Sequence, residues 1–235
     1  MSKYSIILHI IILFYIIDGI QGCSCSRPHL QNNFCNADFV MKVRLRGEGE
    51  YQYKKTLVNV DGSSEPVEHR HPIGFIYNVK ILNIYKLNEN DAGLTINSSA
   101  AVIHTPPNDG LCKVDLSIRT KYLVTGTISD GELWIYLCSW GTPWAWITKS
   151  QKKYLKFTYA KNCDCKPMED FYRGSTLDES KCYWKSNSRH GECYERHTAC
   201  IIDKNSTTGG CKWHRNKRLR TCRAEKMDAL NSFFP

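Results

Sequence analysis

Twelve cysteines constrain this 235-residue chain more than any other feature, because all of them follow residue 22 and an apolar block precedes them. Residues Ile6 to Ile17 form that block, broken only by His9, with Lys3 before it and Asp18-Gly19-Ile20-Gln21-Gly22 after it. About a dozen apolar residues fall short of the ~20 that cross a bilayer but suit the middle of a secretory signal. Gly22 supplies the small residue wanted before a cut, so segment 1–22 reads as a signal peptide removed after Gly22, leaving no membrane span. Behind such a leader, an even and dense set of cysteines is a disulfide framework of the oxidising extracellular space, not a set of metal ligands.

The cysteines fall six and six, with the division inside Cys163-Asp164-Cys165, which sets expected domains at 23–163 and 164–235. In the first part Met41, Val43 and Leu45 alternate with Lys42, Arg44 and Arg46, and Phe75, Tyr77, Val79 and Ile81 repeat that period. Ala100 to His104, Lys121 to Thr127 and Leu133 to Cys138 supply three further runs. Alternation marks half-buried strands, and five of them separated by Gly, Asn, Asp and Pro suggest a small closed or partly closed barrel. Pro28 can open a short helix through Phe34 and Asn36, and Thr148 can cap another through Lys152 and Tyr159. The polar stretch Tyr51 to His71 is expected to be an extended hairpin or a mobile loop. The second part has short apolar runs and many cysteines, so crosslinks must supply much of its stability, at about 2–4 kcal/mol each.

Several ordered segments resemble the tissue inhibitors of metalloproteinases. CSCSRPHLQNNFCNADFV, from Cys23, resembles their mature start, a Cys-x-Cys with a third cysteine followed by Asn-Ala-Asp. HTPPNDGLC before Cys112, KYLVTGTISDGELWIYLC up to Cys138, then PW, SQKK and CDC follow in order, and ACIIDKNSTTGGCKW resembles the closing segment. The resemblance covers almost all of the mature chain. It implies a mainly β (α+β) protein: a five-stranded OB-fold barrel of the netrin-like type with flanking short helices, then a small disulfide-rich C-terminal domain. Six cysteines allow fifteen connectivities; the resemblance implies Cys23–Cys112, Cys25–Cys138 and Cys35–Cys163, and in the second part Cys165–Cys211 and Cys182–Cys200. The family's short two-cysteine loop is absent from KPMEDFYRGSTLDESK, which leaves Cys193 and Cys222 over, and these are expected to bond to each other.

The resemblance also implies a function: a secreted inhibitor of zinc metalloendopeptidases, acting as a monomer in one-to-one complexes. Once Cys23 is the first residue, its amine and its own carbonyl oxygen would chelate the target's catalytic zinc; the inhibitor needs no cofactor of its own. Ser24 would point into the mouth of the S1′ pocket, Cys25, Ser26 and Arg27 would follow the substrate groove, and Asn108, Asp109, Gly110 and Leu111 would form a second wall of the contact. Arg27 stands where relatives often have an uncharged residue, and Asp109-Gly110 replaces small residues, which bears on target choice.

Other features carry weaker signals. Asn97 and Asn205 begin glycosylation sequons. Net charge is +9, and Lys212, Arg215, Lys217, Arg218, Arg220 and Arg223 crowd the run KWHRNKRLRTCR, which reads either as an ordinary charged surface or as a polyanion site. Outside the cell that polyanion is a sulfated glycosaminoglycan, not a nucleic acid. His69-Arg70-His71 has metal-compatible spacing but no further ligands nearby, so a solvated loop is preferred; Trp140, Trp144 and Trp146 are expected in the core rather than on a binding face. HExxH, GxSxG and phosphate-cradling glycine loops are lacking, which argues against an enzyme. The alternative to inhibition is a netrin-like module binding matrix or a receptor through its basic C-terminal part.

Overall fold

The period of two along Phe39–Leu45 puts Phe39, Met41, Val43 and Leu45 on one side of a strand, β1, and all four are buried. The structure is a computed structural model that describes residues 23, 25, 28–58, 67–88, 96, 99–169, 178–185, 188, 190–207 and 209–231. Six more strands join β1 in one sheet: β2 (Glu50–Val58), β3 (Val67–Leu87), β4 (Ala100–Thr105), β5 (Lys121–Ser129), β6 (Glu132–Trp134) and β7 (Gly141–Pro143). Five of them close on themselves in the order β1-β3-β4-β6-β5-β1, with β4 and β6 parallel and every other pair antiparallel. This is the Greek-key order of an OB-fold. Inside it the β1 residues meet Tyr77, Val79, Ile103, Val124, Leu133 and Ile135. Each fully buried aliphatic contributes about 1.5–3 kcal/mol to this core.

The remaining strands extend the sheet. β2 pairs with the first half of β3 as a long hairpin, so the stretch expected to be a hairpin or loop is a hairpin; its residues 59–66 lie outside the described residues. His69 and Arg70 are exposed on it. β6 ends at Trp134, short of the expected run to Cys138, because the chain turns at Tyr136–Ser139, where Ser139 N donates to Tyr136 O at 2.7 Å.

The opposite faces of β1 and β5 are also covered. Val40 and Leu123 point away from the barrel interior into a second cluster with Leu30 and Phe34 of helix α1 (Leu30–Asn36) and Tyr154 and Leu155 of helix α2 (Lys149–Phe157). α1 starts two residues later than Pro28 suggests: His29 keeps extended backbone and acts as the cap, its Nδ1 accepting from Gln31 N at 3.2 Å. At α2 the Thr148 hydroxyl accepts from Gln151 N (3.1 Å) while Gln151 Oε1 accepts from Thr148 N (2.9 Å), a reciprocal capping box. The helix ends at Phe157 and continues as a 3-10 turn, Tyr159–Asn162.

Beyond Cys163 lie two small sheets, parallel β8 (Lys166–Glu169) with β9 (Lys181–Trp184) and antiparallel β10 (Cys200–Ile202) with β11 (Cys211–Trp213), and helices α3 (Gly191–His197) and α4 (Lys217–Asn231). The core here is Cys165, Cys182 and Cys200 packed with Cys211 and Trp213. So little apolar area needs crosslinks, and Cys165–Cys211, Cys182–Cys200 and Cys193–Cys222 supply them. In the first half the bonds are Cys23–Cys112, Cys25–Cys138 and Cys35–Cys163.

His29 joins the two halves. It is 1% exposed, with the rings of Trp213, Trp184 and Tyr159 at 5.5, 6.0 and 6.5 Å, and burial lowers its pKa from 6.5 to about 4 against a weaker opposing pull from the Tyr194 backbone. Between those values the unfolded chain binds a proton that the folded chain refuses. Stability is therefore expected to fall as pH drops from about 6.5 to about 4, by ~3 kcal/mol from this residue. His104, His197 and His214, also lowered mainly by burial, act in the same direction. Denaturant melts across this window should be flatter for His29→Asn, which keeps a cap without the titrating ring; an unchanged slope would refute the assignment.

Candidate functional site

Two disulfides fasten the segment that begins at Cys23 to the barrel. Cys23 reaches Cys112 (Cα–Cα 5.5 Å) and Cys25 reaches Cys138 (5.2 Å), so two alternate residues of one short segment are tied to two different loops. The Cys23 sulfur lies 3.8 Å from Gly110 O, a contact only, since a bridged sulfur has no proton to donate.

The loop at Cys112 is held by its own hydrogen bonds. Asn108 caps a 3-10 turn, Asp109–Leu111: its side-chain oxygen accepts from Leu111 N at 3.1 Å and its backbone oxygen accepts from Lys113 N at 3.1 Å. Cys112 then takes φ 72°, a left-handed conformation that costs a non-glycine residue about 1–2 kcal/mol. From there its carbonyl accepts from Leu137 N at 2.9 Å, which joins the Cys112 loop to the Cys138 loop. Rigid crosslinked loops are what an edge needs if it is to bind without paying for its own ordering.

Asn108, Asp109, Gly110 and Leu111 are all exposed along this edge, with Cys23 and Cys25 half-buried beside them. Ser24, Ser26 and Arg27 lie outside the described residues, as does Asn97. A side chain at Gly110 would meet only Asn108 Oδ1, at 3.4 Å, so nothing in the fold demands a glycine there. Sequence reasoning missed Tyr136 and Leu137, 40% and 48% exposed, on the loop that carries Cys138. Two large apolar residues immediately before a crosslinked cysteine were the available signal. A cleft of about 1040 Å³ opens beside them toward α3, lined by Cys25, Pro28, Leu137, Trp146 and Arg196.

Elsewhere the expectations separate. Trp140 and Trp144 pack against the second core, but Trp146 does not: it is 66% exposed, because the turn that brings Ile147 inward leaves its neighbour outside. Asn205 is exposed in the turn between β10 and β11. Lys212 is paired with Asp203 at 2.7 Å, while Arg215, Lys217, Arg218, Arg220 and Arg223 are exposed at the start of α4 and just before it. Three sulfurs, of Cys165, Cys200 and Cys211, lie within 4.8 Å of one another, but all are bridged and none is available to a metal.

Comparison of the sequence with known proteins finds one family. The family described as "Tissue inhibitor of metalloproteinase" matches residues 21–213. "Metalloproteinase inhibitor 3" of Gallus gallus is 30% identical over 201 residues, 83% of this chain and 82% of that protein. "Metalloproteinase inhibitor 2" of Cavia porcellus is 30% identical over 222 residues, and that of Homo sapiens 29% over 216, each covering 88% of both chains. The chain belongs to the tissue inhibitor of metalloproteinase family, a family of inhibitors and not of enzymes.

Proposed function

We propose that this protein is secreted, loses residues 1–22, and inhibits zinc metalloendopeptidases by placing Cys23 on the catalytic zinc. Uncleaved, the Cys23 nitrogen is an amide with no lone pair to give. Cleavage after Gly22 makes it an amine that, with the Cys23 carbonyl oxygen, can close a five-membered chelate ring on one metal ion. A protease zinc has three protein ligands and one open position that holds water. Filling that position removes the nucleophile.

The observation that carries this reading is the double anchorage of the first residues, Cys23 to the left-handed Cys112 and Cys25 to Cys138. It leaves the Cys23 backbone atoms, not the thiol, as the available ligands. Ser24 enters S1′, residues Cys25 to Arg27 follow the groove, and Asn108 to Leu111 line the second wall, in a one-to-one complex made by the 23–163 unit. With a reference pKa of about 7.7–8.0, the amine gives up its proton on binding, so inhibition weakens in acid.

Titrating the catalytic domain of a matrix metalloproteinase with the secreted protein, after intact-mass measurement of its N-terminus, tests this. A linear loss of activity ending at one equivalent is expected, with a mature chain beginning at Cys23 and extra mass where Asn205 carries a glycan. Full activity at several equivalents of correctly processed protein would overturn it. That outcome would favour the second reading, a matrix- or receptor-binding module. One observation supports this second reading: α4 lies beyond the matched residues yet is fastened by Cys193–Cys222 and by Lys226 Nζ on Glu192 Oε2 at 2.8 Å.

A further inference from the structure

The sequence run at 212–223 is not the only place where, among the described residues, the fold gathers positive charge without ion-pair partners. α2, KSQKKYLKF, carries Lys149, Lys152, Lys153 and Lys156 at i, i+3, i+4 and i+7, one helical face, opposite the buried Ser150, Gln151, Tyr154 and Leu155. It contains no acidic residue. Like charges three and four apart destabilise a helix, and against that repulsion stand the ring contacts of Lys152 with Trp144 and of Lys156 with Phe157.

The stripe continues onto the barrel. Lys152 Nζ and Lys42 Nζ sit 4.8 and 4.3 Å from the centre of the Trp144 ring, so one indole carries two ammonium groups from different elements, with Tyr85 stacked on it at 6.2 Å. Next along β1, Arg44 stands opposite Lys121 on β5 and Lys80 on β3. Three cations abreast on adjacent strands again oppose folding. The pKa of Lys42 is lowered, first by burial and then by Lys121, Lys152 and Arg44.

On its other side the stripe meets the C-terminal half. Tyr154 Oη lies 3.1 Å from His214 Nδ1, and Lys153, after burial, lowers the pKa of His214. Arg215, exposed, follows. Among the described residues no carboxylate forms an ion pair with any of these cations; Glu192, on α3, is already shared by Arg196 and Lys226.

We propose that the lysine face of α2, flanked by Lys42, Arg44 and Lys121 on the barrel and by Arg215 beyond, is a binding surface for a sulfated glycosaminoglycan chain. Segments far apart in sequence are brought into one continuous band, and the band costs the fold repulsion that a polyanion relieves. A line of cations that crosses from strand to helix to C-terminal segment suits a linear polymer. A membrane would want a flat face and free apolar side chains, but the Trp144 ring is capped by ammonium groups and α2 ends on a single exposed Phe157. The choice of polyanion rests on the secretion proposed above; the binding itself does not depend on protease inhibition.

The test is retention of the mature full-length protein on immobilised heparin in a salt gradient, with heparan sulfate titration at ~0.15 M salt, where the Debye length is about 8 Å. The parent should bind at that salt, with affinity falling steeply as salt rises. Replacing all four α2 lysines by glutamine should weaken binding at least about tenfold and flatten the salt dependence; Lys42→Gln with Lys121→Gln should weaken it less. Arg220→Gln with Arg223→Gln, on α4, should have the smallest effect. Thermal melts control for folding, and the pairs Lys149→Gln/Lys153→Gln and Lys152→Gln/Lys156→Gln divide the change if the quadruple variant melts early. The proposal fails if the parent does not bind at that salt, if the α2 variants bind like the parent, or if the α4 pair abolishes binding. Equal binding to phosphatidylserine vesicles that heparan sulfate does not compete would assign the band to a lipid surface instead.

Discussion

A mature chain with one alanine added before Cys23 is expected to lose about a thousandfold in inhibitory affinity while melting at the parent temperature. The added residue turns the Cys23 amine into an amide, whose nitrogen lone pair is delocalised into the carbonyl and cannot bind zinc. It also pushes a new backbone unit into the space meant for the metal. Metal coordination is worth several kcal/mol, and each 1.4 kcal/mol is tenfold, which gives that magnitude. Stability should not change, because Cys23–Cys112 and Cys25–Cys138 form whether or not a residue precedes them. The readout is an inhibition constant against a metalloproteinase, beside a thermal melt. Inhibition within a factor of about ten of the parent would place the binding energy in Asn108–Leu111 and the Tyr136–Leu137 loop, not in the metal contact. Acid separates the two titrations further: loss of the zinc ligand sets in as pH falls through about 7.7–8.0, whereas the fold weakens only as pH falls below about 6.5 through His29.

What could be read from the residues follows from which faces are buried by nearest neighbours. Met41, Val43 and Leu45 announce their strand because the barrel buries one side of β1 and the period of two survives in sequence. Val40 and Leu123 break that pattern, since α1 and α2 cover the outer face, and an apolar residue out of phase does not say which element covers it. His29 escaped notice as a cap because its role depends on extended backbone at one residue and on three aromatic rings, two of them contributed from beyond residue 180. Trp146 was expected inside because tryptophan clusters pack, but a tight turn divides the cluster. The α2 lysines were in plain view at helical spacing. In sequence a basic helix face reads as ordinary solvated charge, and the denser run at 212–223 gives the stronger signal although Lys212 there is paired with Asp203.

Gln31 was equally silent in sequence, and the second large effect is expected there. It is fully buried in α1, and its side chain joins that helix to the boundary stretch at Asn162 and Cys165 and to Cys200 on β10. Nε2 lies 2.9 Å from Asn162 O, 3.1 Å from Cys165 O and 2.8 Å from Cys200 O, three acceptors for two hydrogens, so one is shared. Oε1 accepts from Cys200 N at 2.8 Å. Gln31→Leu keeps the volume but takes the Gln31 partner from the Cys165 and Cys200 carbonyls and the Cys200 N–H in a buried site, while the Asn162 carbonyl still accepts from Cys165 N at 3.2 Å. Each buried orphan costs about 1–3 kcal/mol, and because they share one cavity the total is taken as ~4 kcal/mol. For a chain of this size each kcal/mol lowers the melting temperature by about 2–4 °C, so a drop of roughly 8–16 °C is expected. Gln31→Glu should be worse at neutral pH, since a carboxylate would face the same carbonyls, and should recover relative to Gln31→Leu in acid as the raised pKa of a buried carboxyl lets it take a proton and donate. Inhibition by Gln31→Leu at 25 °C should stay near that of the parent, because the Cys23 and Cys25 crosslinks fix the edge without passing through Gln31. A melting temperature within about 2 °C of the parent would mean that the carbonyls find other partners and that Gln31 fills space without joining the halves.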